Sequence, residues 1–301
     1  MSCGFSKKLI PSLVCQQDGS NLDIKEISKQ DEQVVFVGSL VCSQCGNIYS
    51  IDRGILNLLL KQKDLDILET HEVSARDQEA ESYDQRLSTR YHKEVPSTLK
   101  AIGDIAGQYL IEYGCGTGRL TTEIASQAGQ LLAIDFSQES LLILAQKLTG
   151  QHNIGLVLAN AANIKTAPGF FDTALSFQFL EHVIDKDRRA IWLFGVYDTL
   201  KNNGQFISTV YHYDLRKKLR KEVQEGRHSS GIFFHYFLPK EIGLEFKKYF
   251  KIKNIRPIDI TLPLESRLKL SAKIAGQLSR ISEHIPFINK LGHLLIIYAV
   301  K

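Results

Sequence analysis

Between Tyr109 and Ala125 the sequence reads YLIEYGCGTGRLTTEIA: an apolar run, glycines at positions 114, 116 and 118, then an amphipathic stretch. Glycines at the carboxyl end of a first strand allow a tight turn and let backbone approach a ligand with no Cβ in the way. Their spacing selects among ligands. A dinucleotide fingerprint runs G-x-G-x-x-G, but position 119 is Arg; a phosphate-binding P-loop needs a Gly-Lys-Ser/Thr ending, which is absent. A nucleoside-like ligand fits, without phosphate recognition. Asp135, in LLAIDFS, follows about 20 positions after the first glycine, where a carboxylate closing the second strand accepts from ribose hydroxyls.

Other residues invite chemistry at a second rank. Glu181 and His182, in LEHV, follow the fourth strand expected after the glycine loop. His182 reads either as a proton acceptor and substrate orienter, or, with Glu181, as a helix-start pair. His212, flanked by Tyr211 and Tyr213, and the pair His235 and Tyr236 suit either substrate contact or core packing. The basic run Arg216–Arg220 reads as a solvated helix face or as a neutraliser of phosphate on a nucleotide sugar or lipid headgroup. Near the start, Cys42 and Cys45 in CSQCG form half of a zinc knuckle, and CQQD upstream offers Cys15 and Asp18. Three thiolates and one carboxylate are an allowed structural zinc set; equally, the apolar strands could keep the fold without metal.

The elements that must position these residues follow from pattern. The chain has 301 residues, 44% hydrophobic and 23% charged, with a net charge of +4, which suggests about two domains and announces no nucleic-acid surface. Five cysteines, one of them Cys115 inside the glycine loop, argue against a disulfide framework and for a reducing compartment. With no apolar run long enough to span a membrane and no sustained signal-peptide core, the sequence reads as cytoplasmic. Residues 1–60 look like short strands and turns. Residues 61–100 form a polar helical connector with Leu65, Leu68 and Val73 as its apolar contacts. Residues 101–301 alternate strand and helix signals, predicting an α/β, mostly parallel, doubly wound sheet. Strands are expected at 109–113, 131–135, 155–158, 171–177, 205–210, 250–255 and 294–300. Helices are expected at 117–128, from Ser137 to about 148, and at 187–200, the last ended by KNNG. Within 264–291, Leu264, Leu268, Ile274, Leu278, Ile281 and Ile285 recur at near-helical spacing among basic residues. That insertion reads as packing against its own domain, or as a lid or membrane-surface contact.

On IEYGCGTGRL, LAIDFSQESL, ANAANI, FDTALSFQFLEHV and LKNNGQFI, the chain resembles the class I S-adenosylmethionine-dependent methyltransferases, in particular the group containing ubiquinone-biosynthesis and sugar methyltransferases. The resemblance covers roughly residues 74–301 and implies a Rossmann-like, seven-stranded fold with S-adenosylmethionine as cofactor. By position it implies that Glu112, Gly114, Cys115, Gly116 and Gly118 meet the methionine part. Asp135, with Phe136 beside it, would hold the ribose, Asn160 and Ala161 the adenine, and Phe177 would wall the pocket. Asn160 stands where that family more often has Asp; an amide oxygen still accepts from the adenine amino group. The acid–histidine pair can hold a divalent cation in the resembled O-methyltransferases. In the connector, ARDQEAESYD is similar to helices that fold over the cofactor in related enzymes and directs interest to Tyr83.

Residues 9–60, with LVCQQDGSNL and GSLVCSQCGNIYSIDRGILNLL, resemble the small zinc-ribbon module that activates RNA and protein methyltransferases. Three functions follow. The first is methyl transfer, by O-methylation, to a small molecule or a sugar- or lipid-linked acceptor. The second is RNA methylation with the ribbon gripping RNA; the acidic residues Asp18, Asp23, Glu26, Asp31 and Glu32, and the lack of an NPPY-type sequence, speak against it. The third is a non-catalytic partner with a retained cofactor pocket, which the intact loop and Asp135 oppose.

Overall fold

Short apolar runs bounded by turns become buried strands, and each is placed by the strand beside it. The computed structural model describes residues 3–59, 74, 76–77, 80, 88–263, 265 and 267–301. Leu65, Leu68, Val73, Tyr83 and Leu264 lie outside the described residues. In chain order the elements are β1 (Phe5–Ser6), β2 (Leu22–Gln30), β3 (Val34–Cys42), β4 (Ile48–Asp52), β5 (Ile55–Asn57), α1 (Ser88–Ile102), β6 (Tyr109–Tyr113), α2 (Thr121–Ala125), β7 (Gln130–Asp135), α3 (Gln138–Lys147) and β8 (Ile154–Leu158). They continue as β9 (Phe171–Phe177), a 3-10 turn (Leu180–His182), α4 (Lys186–Thr199), β10 (Leu200–Tyr211), α5 (Leu215–Leu219), β11 (Glu225–Arg227), β12 (Phe233–His235), α6 (Pro239–Phe246), β13 (Lys251–Ile260), α7 (Ala272–Ser282), a 3-10 turn (Ile288–Leu291) and β14 (Gly292–Val300).

The seven strands expected for the Rossmann-like sheet lie in the order β8-β7-β6-β9-β10-β14-β13. They run parallel through β10, and β14 and β13 close that edge antiparallel. The N-terminal strands do not stand apart. β5 pairs in parallel with β8, Ile55 opposite Leu156 and Asn57 opposite Leu158. Beyond β5 come β4 and β3, antiparallel, and both β1 and β2 pair with β3. Twelve strands therefore share one sheet among the described residues. One core cluster runs across the junction, with Phe5, Leu9, Tyr49 and Leu56 packed in continuity with Leu132, Val157 and Phe206.

Local chemistry explains where elements start. Ser137 caps α3, its Oγ accepting the Ser140 N–H at 3.1 Å, and Asp185 caps α4 through the Arg188 N–H at 2.7 Å. Two expected boundaries shift. The helix expected at 117–128 is confined to Thr121–Ala125, because Gly118 has left-handed backbone (φ +88°) that an α-helix cannot contain. KNNG does not cap a helix. The chain passes from α4 straight into β10 at Leu200, opposite Phe171, and the turn residues form a bulge around Asn203 (φ +64°) before pairing resumes at Gln205. In the 264–291 insertion the α-helix is confined to Ala272–Ser282. It packs on α1 at a defined spot. Pro96 has no N–H to give the carbonyl of His92, and there Gly276 comes so close that a Cβ would lie 2.3 Å from that oxygen.

Candidate functional site

A cavity opens at the carboxyl edge of the parallel strands. It is lined by residues from the loop after β6, the end of β7, the segment after β8 and the end of β9. Glu112, Gly114, Cys115, Gly116, Asp135, Phe136, Asn160, Phe177 and His182 all line it. Ala161 is buried behind it, and Ala162 and Asn163 take the wall there. Gly118 supports the loop from beneath, packed on Leu144, where a Cβ would fall 2.2 Å from Cδ1. At Gly116 (φ +52°) a Cβ would meet nothing within 4 Å; that emptiness is the cavity. The loop is thus bare at one glycine for packing and at another for access.

The carboxylates are fastened from behind. Asp135 Oδ2 accepts the Gly116 N–H at 2.8 Å and Oδ1 the Ser137 N–H at 2.9 Å. Burial raises its pKa, and those two N–H donors oppose the rise. Glu112 accepts from the Thr121 hydroxyl at 2.8 Å. Burial lifts its pKa to about 7 against that hydrogen bond, and the Asp135 charge adds to the rise. Asn160 Oδ1 accepts the Ala162 N–H at 3.0 Å. Burial also pushes the Cys115 thiol well up, so it sits in the wall as a neutral group.

On the rim, His182 donates its Nδ1–H to the Phe233 carbonyl at 2.6 Å, which makes Nε2 the lone-pair nitrogen. Burial holds its pKa well below 6.5, so the ring is neutral at physiological pH. Tyr211 packs edge-on against it. Glu181 is wholly buried, with no hydrogen-bond partner on either oxygen among the described residues, and burial lifts its pKa to about 8. His212 lies elsewhere. It is buried under β14, its Nδ1–H donating to the Gly292 carbonyl at 2.8 Å, and it lines no cavity described here. His235 is clasped between Glu225 and Glu241 at 3.1 and 2.7 Å, and Tyr213 donates to the Glu222 carbonyl.

The sequence did not flag Gln178, Glu94 or Arg76. Gln178 closes β9 with left-handed backbone (φ +56°), and its amide donates to Glu94 at 2.8 Å; the buried Glu94 also holds Arg119. The Arg that breaks the dinucleotide spacing is therefore bound to α1 and ties that helix to the loop. Arg76 joins the lining from the helical turn around residues 76–77, inside the segment singled out for a cofactor cover. A strand-end position next to Phe177 was the available signal for Gln178.

At the far edge of the sheet, the ligand atoms of Cys15, Asp18, Cys42 and Cys45 all lie within 4.8 Å of one another. Cys15 and Cys45 sulfurs stand 3.5 Å apart, and Cys42 lies 3.4 Å from an Asp18 oxygen. A tetrahedral zinc with Zn–S near 2.3 Å places its sulfurs about 3.8 Å apart, so the set fits such an ion with small adjustments. The backbone N–H groups of Gln44 and Cys45 point at the Cys42 sulfur, each at 3.4 Å, as a thiolate requires. The Ser20 N–H holds the Asp18 carboxyl well below its usual range.

Residues 110–204 match the family described as methyltransferase domain. Phosphoethanolamine N-methyltransferase 3 of Arabidopsis thaliana is 34% identical over 86 residues, 28% of this chain and 17% of that protein. A second plant relative, phosphoethanolamine N-methyltransferase 1, is 30% identical over 36% of this chain and 23% of its own length. The chain thus spans less than a quarter of either relative. Among solved structures, a chain from the complex between the Haloferax volcanii Trm112 methyltransferase activator and a candidate methyltransferase superposes with a TM-score of 0.55. It has 14% identity and covers 75% of this chain and 96% of its own. An S-adenosylmethionine-dependent methyltransferase from Mesorhizobium loti superposes with a TM-score of 0.51 at 17% identity, covering 68% and 96%. These two likenesses are likenesses of fold. The glycine loop and the strand-end carboxylate both lie within the stretch, residues 110–204, that matches the methyltransferase-domain family, and the sheet order is that of a Rossmann-like fold.

Proposed function

We propose that this protein transfers a methyl group from S-adenosylmethionine to an oxygen of a small-molecule, sugar-linked or lipid-linked acceptor. The observation that carries the reading is one cavity lined by Gly116, Asp135, Asn160 and Phe177, four residues from four separate strand ends. Asp135 keeps lone pairs for ribose hydroxyls after binding the loop's own N–H groups. Asn160, in the cavity wall, is the residue placed to meet adenine, and Phe136 and Phe177 supply apolar walls. Bound there, S-adenosylmethionine would supply a methyl group on a positively charged sulfur, with a neutral thioether as leaving group. The chain's part is alignment, exclusion of water and care of one proton. His182 does the last: Phe233 fixes its tautomer, and Nε2 takes the proton that an acceptor hydroxyl loses as its oxygen attacks. His212 serves in this reading as a support beneath β14.

In the same reading the N-terminal strands hold a structural zinc through Cys15, Asp18, Cys42 and Cys45. The metal locks the turns from which β2 and β4 emerge; it takes no part in chemistry. Calorimetric titration with S-adenosylhomocysteine tests the cofactor reading. The wild type gives a one-site isotherm and Asp135→Ala weakens it about 10- to 100-fold; a flat wild-type trace would end the proposal. Elemental analysis tests the metal, with one zinc per chain expected.

A further inference from the structure

The helix α7 is turned against expectation. Its small residues Ala275, Gly276, Ser279 and Ser282 face inward on α1 and the sheet. Ile274, Ile281 and, just beyond, Ile285 face water, with the half-buried Leu278 between them, at steps of three or four residues that keep to one helix face. Leu268 ahead of the helix is 66% exposed and Phe287 behind it 74%. An ordinary surface helix does the reverse, burying its large apolar residues and exposing its small and polar ones.

Charge on this face has one sign. Arg267, Lys269, Lys273, Arg280 and Lys290 alternate with the exposed apolar residues. From 267 to 290 the one carboxylate is Glu283, and it is buried, accepting from Ser97 and Arg256. A neighbouring element adds exposed apolar tips. In and after α5, Leu219 and Val223 are exposed beside Lys218 and Lys221, with Glu222 paired to Arg220. Arg216 fastens that element to both ends of the insertion, donating to the carbonyls of Thr261 and Leu291. The two basic, apolar-tipped segments are thus tied together.

We infer that this face is a docking surface for an anionic lipid membrane. Side chains such as Phe287, Ile281 and Leu268 enter the acyl boundary while the lysines and arginines meet acidic headgroups. Exposed aliphatic tips set among basic side chains fit an anionic lipid surface better than the grooves of RNA, which ask mainly for hydrogen-bonding and stacking groups. Among the described residues no helix is long and apolar enough to cross a membrane; the contact inferred is peripheral. The proposal stands apart from the methyl-transfer reading, since none of these residues lines the cofactor cavity.

The test is co-sedimentation of the full chain with vesicles of phosphatidylcholine alone and of phosphatidylcholine with about one third phosphatidylglycerol. Binding is expected to the acidic vesicles and to be lost as salt rises from about 50 to 500 mM. Ile281→Asp with Phe287→Asp should lower the bound fraction about fivefold or more, and Lys273→Glu with Lys290→Glu should remove the preference for acidic lipid. Both variants should keep the wild-type unfolding midpoint, and their titration with S-adenosylhomocysteine should match that of the wild type, whatever that titration shows. Wild-type protein that stays in the supernatant with acidic vesicles overturns the proposal. So does a dimer in sedimentation velocity that Ile281→Asp dissolves, which would assign the face to a second copy. Salt-sensitive retention on RNA that the vesicles do not compete away would overturn it as well.

Discussion

Three glycine turns, one in the glycine loop and two near the N-terminus, share a left-handed conformation and differ in what surrounds them. Gly116 in the loop after β6, and Gly19 and Gly46 in the N-terminal turns, all have positive φ, and a Cβ on any of them would meet nothing within 4 Å. At Gly116 the open space is a cavity ringed by carboxylates, amides and aromatic rings from many strand ends. At Gly19 and Gly46 it is solvent, and the side chains beside them close on one another until four ligand atoms lie within 4.8 Å. Left-handed glycine therefore says that the chain turns sharply. What the neighbours present says whether the turn makes a pocket or a clasp.

Substitutions can break that contrast. The largest effect is expected at Gly118→Ala, where a left-handed backbone and a Cβ 2.2 Å from Leu144 Cδ1 combine; about 3 kcal/mol should be lost from urea unfolding. Close behind, Cys45→Ser should release the proposed zinc and cost about 2–3 kcal/mol, read as a lower unfolding midpoint that a chelator no longer changes. Gly116→Ala should cost about 1 kcal/mol of stability, from backbone strain alone, yet abolish measurable titration by S-adenosylhomocysteine. Those opposite ratios of stability to binding would separate the packing glycine from the access glycine. A further change is set by acid and not by substitution. His212 has its pKa lowered to about 4, chiefly by burial. The unfolded chain therefore takes up that proton first, near pH 6.5, and stability falls as pH drops from there to about 4. The loss should reach up to about 3 kcal/mol, and in His212→Gln the share due to this ring should vanish from the pH profile.

Much of the parallel sheet could be read from the sequence because its strands are short apolar runs with period and punctuation. Tyr109–Tyr113, Phe171–Phe177 and the Ser137 cap stand where pattern puts them. The cavity residues that emerge from strand ends were readable for the same reason. Gln178, Glu94 and Arg119 were not, since their meeting depends on how α1 lies across the sheet, and helix placement is a tertiary outcome. The pairing of β5 with β8 was hidden too. Ile55–Asn57 is too short to announce its partner, and nothing local tells a strand that its neighbour lies about a hundred residues away. The outward large face of α7 was the hardest to foresee, because spacing marks a stripe without saying which side is buried. The close contact of Gly276 with the His92 carbonyl, which Pro96 leaves without its helical N–H, fixes that side.

That parallel pairing gives residues 1–60 a duty separate from any metal or catalyst. All five residues of β8 are buried and apolar or glycine, and such a strand at the rim of a sheet is a template for joining other chains. β5 occupies the rim, and the strands beyond it move the exposed edge out to β2, whose sequence LDIKEISKQ is charged and largely solvent-facing. The N-terminal strands are thus a guard against edge-to-edge aggregation. If they peel away, the first symptom should be insolubility, before any loss of cofactor binding.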